Sequence, residues 1–210
     1  MSIKLLVLTL CCCIWYTLPS FGQRGYLPGY VVLNNGDTLN GRVKDRKERF
    51  AARIYNKVRL KNGGLFTKKF APRKIIAYRR GESTYERFLI GRKKSTLRDI
   101  FNTNLYIVPW GGEFTFFRIA HKGPLSYYYH EFENDGDYFD FEAYFKLEGN
   151  NELVHINTIF GLRRKSLVKF FDGCPKLVEA IKNKELREPM DIVNYYEQHC
   201  ISPGPVKKRE

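Results

Sequence analysis

Four histidines, His121, His130, His155 and His199, are the side chains best suited to moving protons near neutral pH, and no two of them stand at i, i+2 or i, i+4. The chain has no phosphate-cradling glycine loop, no His-Glu-x-x-His helix, no Cys/His zinc spacing and no Gly-x-Ser-x-Gly elbow. On sequence alone there is therefore no catalytic residue, no metal ligand set and no cofactor fingerprint to assign. One spacing matches a twelve-residue calcium loop: Glu131-x-Glu133-x-Asp135-Gly136, with Glu142 five residues further on. Glutamate stands at the first and third positions, where the shorter aspartate belongs, and the flanks read as strands where that loop needs helices. Asn134-Asp135-Gly136-Asp137 reads instead as a hairpin turn with solvated acids.

Charge is the stronger signal. The 210 residues carry a formal net charge of +14, and it is unevenly placed. From Arg42 to Arg98 there are 20 Lys and Arg against 4 Asp and Glu, a balance of +16; from Asp99 onward 14 basic residues face 17 acidic ones. Tyr55, Phe66, Phe70, Tyr78, Tyr85 and Phe88 are interleaved with the cations. Basic surfaces with aromatics suit polyanions. The candidate contacts are Arg73, Lys74, Arg79, Arg80, Arg92, Lys93 and Lys94. Strand alternation sends most of the aromatics inward and leaves the cations in water, so a merely solvated strand face is the competing explanation. Tyr127-Tyr128-Tyr129 suggests a stacking platform, yet alternation puts Tyr128 on the opposite face from its neighbours, which favours packing.

The first 22 residues read as a secretory signal peptide: Lys4 supplies the positive end, Leu5 to Trp15 the apolar segment, and Ser20-Phe21-Gly22 the small residues before a cleavage point. The apolar run is short for a membrane span. An exported protein meets lipopolysaccharide, anionic lipid headgroups and acidic glycans, so these are the expected polyanions and nucleic acid is the less favoured partner. Cys11, Cys12 and Cys13 fall within the leader, leaving Cys174 and Cys200. Each sits at an end of a predicted C-terminal helix. Antiparallel packing of those helices brings the two thiols together, and export supplies the oxidant for a structural disulfide.

These residues must be positioned by a β-rich body. Asn35-Gly36 between alternating apolar residues predicts a hairpin with a two-residue loop, pairing Leu33 with Thr38 and Val32 with Leu39. That register puts Tyr30, Val32, Leu39 and Val43 on one face, and Val31, Leu33, Thr38, Asn40 and Arg42 on the other. Further short strands are predicted over 53–60, 65–69, 74–78, 85–90, 105–108, 114–120, 125–132 and 153–156. Phe139, Phe141, Ala143, Phe145 and Leu147 alternate with polar residues, which predicts a half-buried antiparallel strand with one wet face. Beyond Gly161 the period lengthens toward 3.6, and Pro175 and Pro189 stand at helix starts.

Gly29-Tyr30-Val31-Val32, followed by Gly36-Asp37-Thr38-Leu39-x-Gly41 soon after a leader, resembles the start of many uncharacterised secreted proteins of the Bacteroidota. Cys174-Pro175-Lys176-Leu177 and the Ile192-Val193-x-x-Tyr196 helix closing at Cys200 resemble their C-terminal ends. The resemblance implies secretion and brings no activity and no catalytic residues with it.

The expected class is α+β: a signal peptide (1–22), a twisted antiparallel sheet or partly open barrel (23–160), a helical subdomain packed on it (161–201) and a flexible tail (202–210). The expected role is that of an exported, non-enzymatic interaction or structural module of the cell envelope, secreted, periplasmic or bound to the outer membrane. It would contact another envelope component, with polyanions engaged through the basic 42–98 region. The alternative is an envelope hydrolase acting on glycans or peptides, marked by a deep pocket where Asp, Glu, His or Tyr side chains converge.

Overall fold

The computed structural model describes residues 25–47, 53–63, 66–91, 104–134, 138–158 and 161–201. The leader, the tail and Arg92, Lys93 and Lys94 lie outside them. The fold is α+β: antiparallel strands followed by three C-terminal helices.

Five strands form an outer layer: β1 (Leu27–Leu33), β2 (Thr38–Lys47), β3 (Arg53–Lys61), β4 (Lys68–Phe70) and β5 (Ile75–Arg80), in the order β4-β3-β2-β1-β5. Six more close into a ring: β6 (Ser83–Gly91), β7 (Leu105–Ile107), β8 (Glu113–His121), β9 (Leu125–Asn134), β10 (Tyr138–Leu147) and β11 (Glu152–His155). β6 belongs to both layers. One of its edges pairs with β8, while the other is divided between β5 at residues 83–86 and β7 at Ile90 and Gly91. A two-rung ladder, β12 (Asn157–Thr158) with β13 (Gly161–Leu162), leads into α1 (Arg164–Phe170), α2 (Pro175–Lys182) and α3 (Pro189–His199).

Three apolar clusters hold the layers together. Every ring strand contributes to the barrel interior: Phe88 and Ile90, Leu105 and Ile107, Phe117 and Ile119, Tyr128, Tyr144, and Leu153. A small barrel is filled by its own side chains, as here. The helices cover the outside of β9 and β10, where Leu125, Tyr127, Ala143 and Phe145 meet Leu167, Leu177, Ile181 and Ile192. β10 is thus buried on both faces; Tyr144 fills the barrel while Ala143 and Phe145 meet the helices. The wet face expected of this strand is the lumen of a barrel, which the alternation of one segment does not distinguish from solvent. Tyr128 likewise points into the barrel, with Tyr127 and Tyr129 on the outer side joined by a 2.6 Å hydrogen bond between their hydroxyls.

The third cluster, Val31, Val43, Val58, Leu60, Ile75, Tyr78 and Tyr85, lies beneath the outer layer. Its composition corrects the expected hairpin register. Val32 pairs with Thr38, Val31 with Leu39 and Tyr30 with Asn40, one residue away from the two-residue-loop pairing. The loop has three residues, Asn34-Asn35-Gly36. Leu33 N–H donates to the Asp37 carbonyl at 2.8 Å, Gly36 N–H donates to the Leu33 carbonyl at 3.0 Å, and Gly36 has φ +91°. This is a type I turn completed by a left-handed residue, the next most common hairpin after the two-residue kind. A slip of one residue exchanges faces. Val31 and Leu33 therefore point into the cluster, and Tyr30 and Val32 out.

The disulfide is present. Cys174 precedes α2 and Cys200 follows α3, with Cα atoms 5.6 Å apart and a sequence separation of 26. A loop of that length adds about 3.5 kcal/mol in the chain-entropy account. Cys174→Ser with Cys200→Ser is expected to lower the urea unfolding free energy by that amount, and an unchanged midpoint would contradict this account.

Candidate functional site

Asp45 and Arg46 are consecutive, and both are buried. In a regular strand one of them would face water. Here Lys44 pairs with Arg59 but Arg46 with Ile54, so β3 bulges opposite Asp45 and both side chains turn inward. Asp45, 1% exposed, accepts from Arg46 Nε at 3.0 Å, Arg46 Nη2 at 2.9 Å and the Tyr78 hydroxyl at 2.8 Å, with Arg80 Nε 3.2 Å away. Arg46 Nη2 also reaches Glu131 Oε2 at 2.7 Å and the Tyr85 hydroxyl oxygen at 2.7 Å. Tyr85 donates to Glu131 Oε2 at 3.0 Å, and Arg118 Nε donates to Glu131 Oε1 at 2.7 Å. The Arg46 guanidinium lies 5.1 Å from the Phe139 ring centre and 5.6 Å from that of Tyr85. The network ties β2 of the outer layer to β9 of the barrel, and the Ile54 N–H adds a 2.6 Å hydrogen bond to Glu133 Oε1.

This network forms one wall of a cleft of about 1050 Å³. The cleft runs from the barrel mouth, at Ile90, Leu105 and His130, over the β8–β9 rim to the space under β2 and β3. Asp45, Tyr78, Tyr85, His130, Glu131 and Glu133 all line it, which is the convergence expected of the hydrolase alternative. Asp45 and Glu131, however, are each engaged by two arginines and a tyrosine. Glu131 and Glu142 lie on opposite faces of their sheet, Glu131 being opposite Phe141 in the ladder. Glu142 accepts from the Tyr144 hydroxyl at 2.7 Å and lies 3.7 Å from His130 Nδ1. His130 and that hydroxyl hold its carboxyl below the ordinary carboxylate range. Burial keeps the His155 imidazole below its usual value, with Arg163 adding to the effect. Among the described residues, no three His, Cys, Asp or Glu are grouped so as to hold a metal ion.

Burial raises the Tyr78, Tyr85, Tyr127, Tyr128 and Tyr144 hydroxyls above their ordinary value of 10. Above pH 10 the unfolded chain gives up these protons first and so binds fewer than the folded one. Stability is then fully present below pH 10 and falls as pH rises past it. In an alkaline titration followed at 295 nm, these tyrosines are expected to stay silent until the chain unfolds. Titration of every tyrosine near pH 10 in folded protein would contradict their burial.

Of the predicted polyanion residues that the structure describes, three are exposed and one is buried. Arg73 and Lys74 are exposed in the 3-10 turn Pro72–Lys74, with Arg73 at the cleft rim. Arg79 is exposed on the outward side of β5, and its Nε donates to the Gly81 carbonyl at 2.7 Å. Arg80 is 9% exposed and faces inward onto Asp45, so it does not belong to an exposed basic face. The slip of faces in this part of the sheet comes from the bulge at Ile76, where β1 pairing jumps from Ala77 to Ile75.

A more coherent basic surface lies elsewhere. Lys69, Arg59 and Lys44 are successive ladder partners across β4, β3 and β2, and Lys61 stands directly opposite Arg42. All five occupy outward positions, alternating with buried Val43, Val58 and Leu60. Tyr26 places its ring 4.7 Å from Lys61 Nζ and 5.6 Å from Lys44 Nζ, and its carbonyl accepts from Arg42 Nη2 at 2.8 Å. The Arg59 guanidinium lies 3.8 Å from the Tyr55 ring centre. Their alignment follows from the β2–β3 and β3–β4 registers, which no local sequence signal gives.

No family model matches the chain, and neither a curated protein nor a solved structure matches it. Among the described residues no helix is long and apolar enough to cross a membrane.

Proposed function

We propose that this chain is an exported, non-enzymatic module of the cell envelope that engages polyanions through the outward face of β2, β3 and β4. The cross-strand cation array carries this reading. Like charges directly opposite each other on neighbouring strands destabilise a sheet. Here Arg42 faces Lys61, and Lys44, Arg59 and Lys69 form a row, so cation stands opposite cation on neighbouring strands. A polyanion laid across the strands relieves that repulsion. Lipopolysaccharide phosphates, anionic headgroups and acidic glycans share the required chemistry, a repeated negative group. Export is supported by the leader sequence and by the disulfide. The resemblance to secreted proteins of the Bacteroidota agrees with it. Against the hydrolase reading stands the arginine saturation of buried Asp45 and half-buried Glu131.

The test is heparin affinity measured over a salt series. Changing Arg42, Arg59, Lys61 and Lys69 to Ser is expected to lower the slope of log affinity against log salt by about one per cation that contacts the polymer. Changing Arg73 and Lys74 is expected to leave it nearly unchanged. An unaltered slope in the first variant would refute the proposal.

A further inference from the structure

We propose that the cleft between the outer layer and the barrel is a second, separate binding site, whose ligand is an uncharged oligosaccharide. Its size is at the upper end for sites that take small molecules and short polymers, and apolar walls around a few convergent polar groups are what such sites show. Its charge differs from that of the basic face. Asp45, Glu113, Glu131 and Glu133 line it, and they are matched by Arg46 and Arg73 in the lining together with Arg80 and Arg118 bonded to the lining carboxylates. Four negative groups thus meet four positive ones, which leaves a polar but neutral floor. A charged ligand gains nothing net from such a floor, whereas hydroxyl groups can donate to the exposed Glu113 and Glu133 carboxylates and accept from Arg73.

The walls supply the other half of sugar recognition. Tyr55, Phe114, Phe116 and Phe132 present aromatic surface to the cleft. Flat rings pack on the C–H faces of a pyranose at small cost in side-chain entropy. Gly111 and Gly112 line the cleft without side chains, and Trp110 beside them is 81% exposed. A large aromatic held in water on a Pro-Trp-Gly-Gly loop at the rim has no packing role to explain it. Glu133 engages the Ile54 N–H through Oε1 and contributes a carboxylate at the polar end.

Trp110 is the only tryptophan after Trp15, so fluorescence of the mature chain reports on the rim directly. The test uses neutral hexasaccharides of glucose, mannose, xylose and N-acetylglucosamine, followed by tryptophan fluorescence and by calorimetry. At least one is expected to bind saturably, with an affinity unchanged between low and high salt. Trp110→Ala and Tyr55→Ala, read by calorimetry, and Glu133→Gln, read by both methods, are each expected to weaken it at least about tenfold. Removing Arg42, Lys61 and Lys69, none of which lines the cleft, should leave it unaltered, which separates failure here from failure at the basic face. Absence of binding by every saccharide overturns the proposal. So does binding that weakens with salt or with loss of the basic face, or occupancy of the cleft by a charged peptide alone.

Discussion

Alanine at Gly29 is expected to abolish folding, or to cost more than about 4 kcal/mol, the range reached only when a substitution has nowhere to go. A Cβ built on Gly29 would lie 1.9 Å from the Arg79 carbonyl oxygen and 2.8 Å from its carbon. Both are backbone atoms of the adjacent strand, so no rotamer change relieves the overlap; β1 must separate from β5. Gly41, paired with Gly29 across β1 and β2, is similarly tight, its Cβ falling 2.3 Å from the Lys61 carbonyl oxygen. The strands approach and coil at these points because no side chain intervenes. Gly36→Ala is the control. Nothing lies within 4 Å of its Cβ, and only the positive φ is penalised, at about 1–2 kcal/mol. Circular dichroism and urea unfolding distinguish the two, and a Gly29→Ala protein as stable as Gly36→Ala would refute the steric account.

Arg46→Met is the second large effect, expected to cost about 3–5 kcal/mol because it leaves Asp45 and Glu131 charged beneath the outer layer, each with one of its two arginines gone. Arg46 contributes one contact from Nε and three from Nη2, and its plane lies beside the Phe139 and Tyr85 rings. Methionine retains the stem and loses all of the charge. Adding Asp45→Asn and Glu131→Gln to Arg46→Met is expected to lower stability further, since Arg80 and Arg118 then lose their carboxylates. Comparison of the unfolding free energies measures this. A single variant within about 1 kcal/mol of the parent would show that the network is solvated and does not latch the two layers.

The resemblance motif is now explained by physical need. Gly29 and Gly41 are required by strand approach, Gly36 by a left-handed turn position, and Cys174 and Cys200 by the disulfide. None of these residues lines the cleft. Strands and helices were readable because alternation, turn glycines and N1 prolines are local signals. The face of β1 was not, because a three-residue loop and a two-residue loop differ by one rung and both tolerate Asn-Gly. Ring closure was not readable either, since it depends on two paired residues each from β6 with β7 and β11 with β7. The cleft had only one local sign, oppositely charged neighbours Asp45 and Arg46 inside an otherwise alternating strand. Their partner Glu131 is 85 residues from Arg46 in the chain, and only tertiary structure brings it there.

That separation also governs how the chain is made. β1 to β5 are complete once residue 80 has been synthesised, and their mutual pairings all fall within that stretch. The underside of this sheet, with Val31, Val43, Val58, Leu60 and Ile75, is covered only when Tyr85, Phe116 and the β9 carboxylate arrive. A nascent polypeptide stalled before residue 131 therefore carries a formed but uncovered apolar surface and an incomplete ion cluster, the kind of species that aggregates unless it is held. With the export proposed above, this favours delivery in an unfolded state, with assembly postponed until the whole body has passed through.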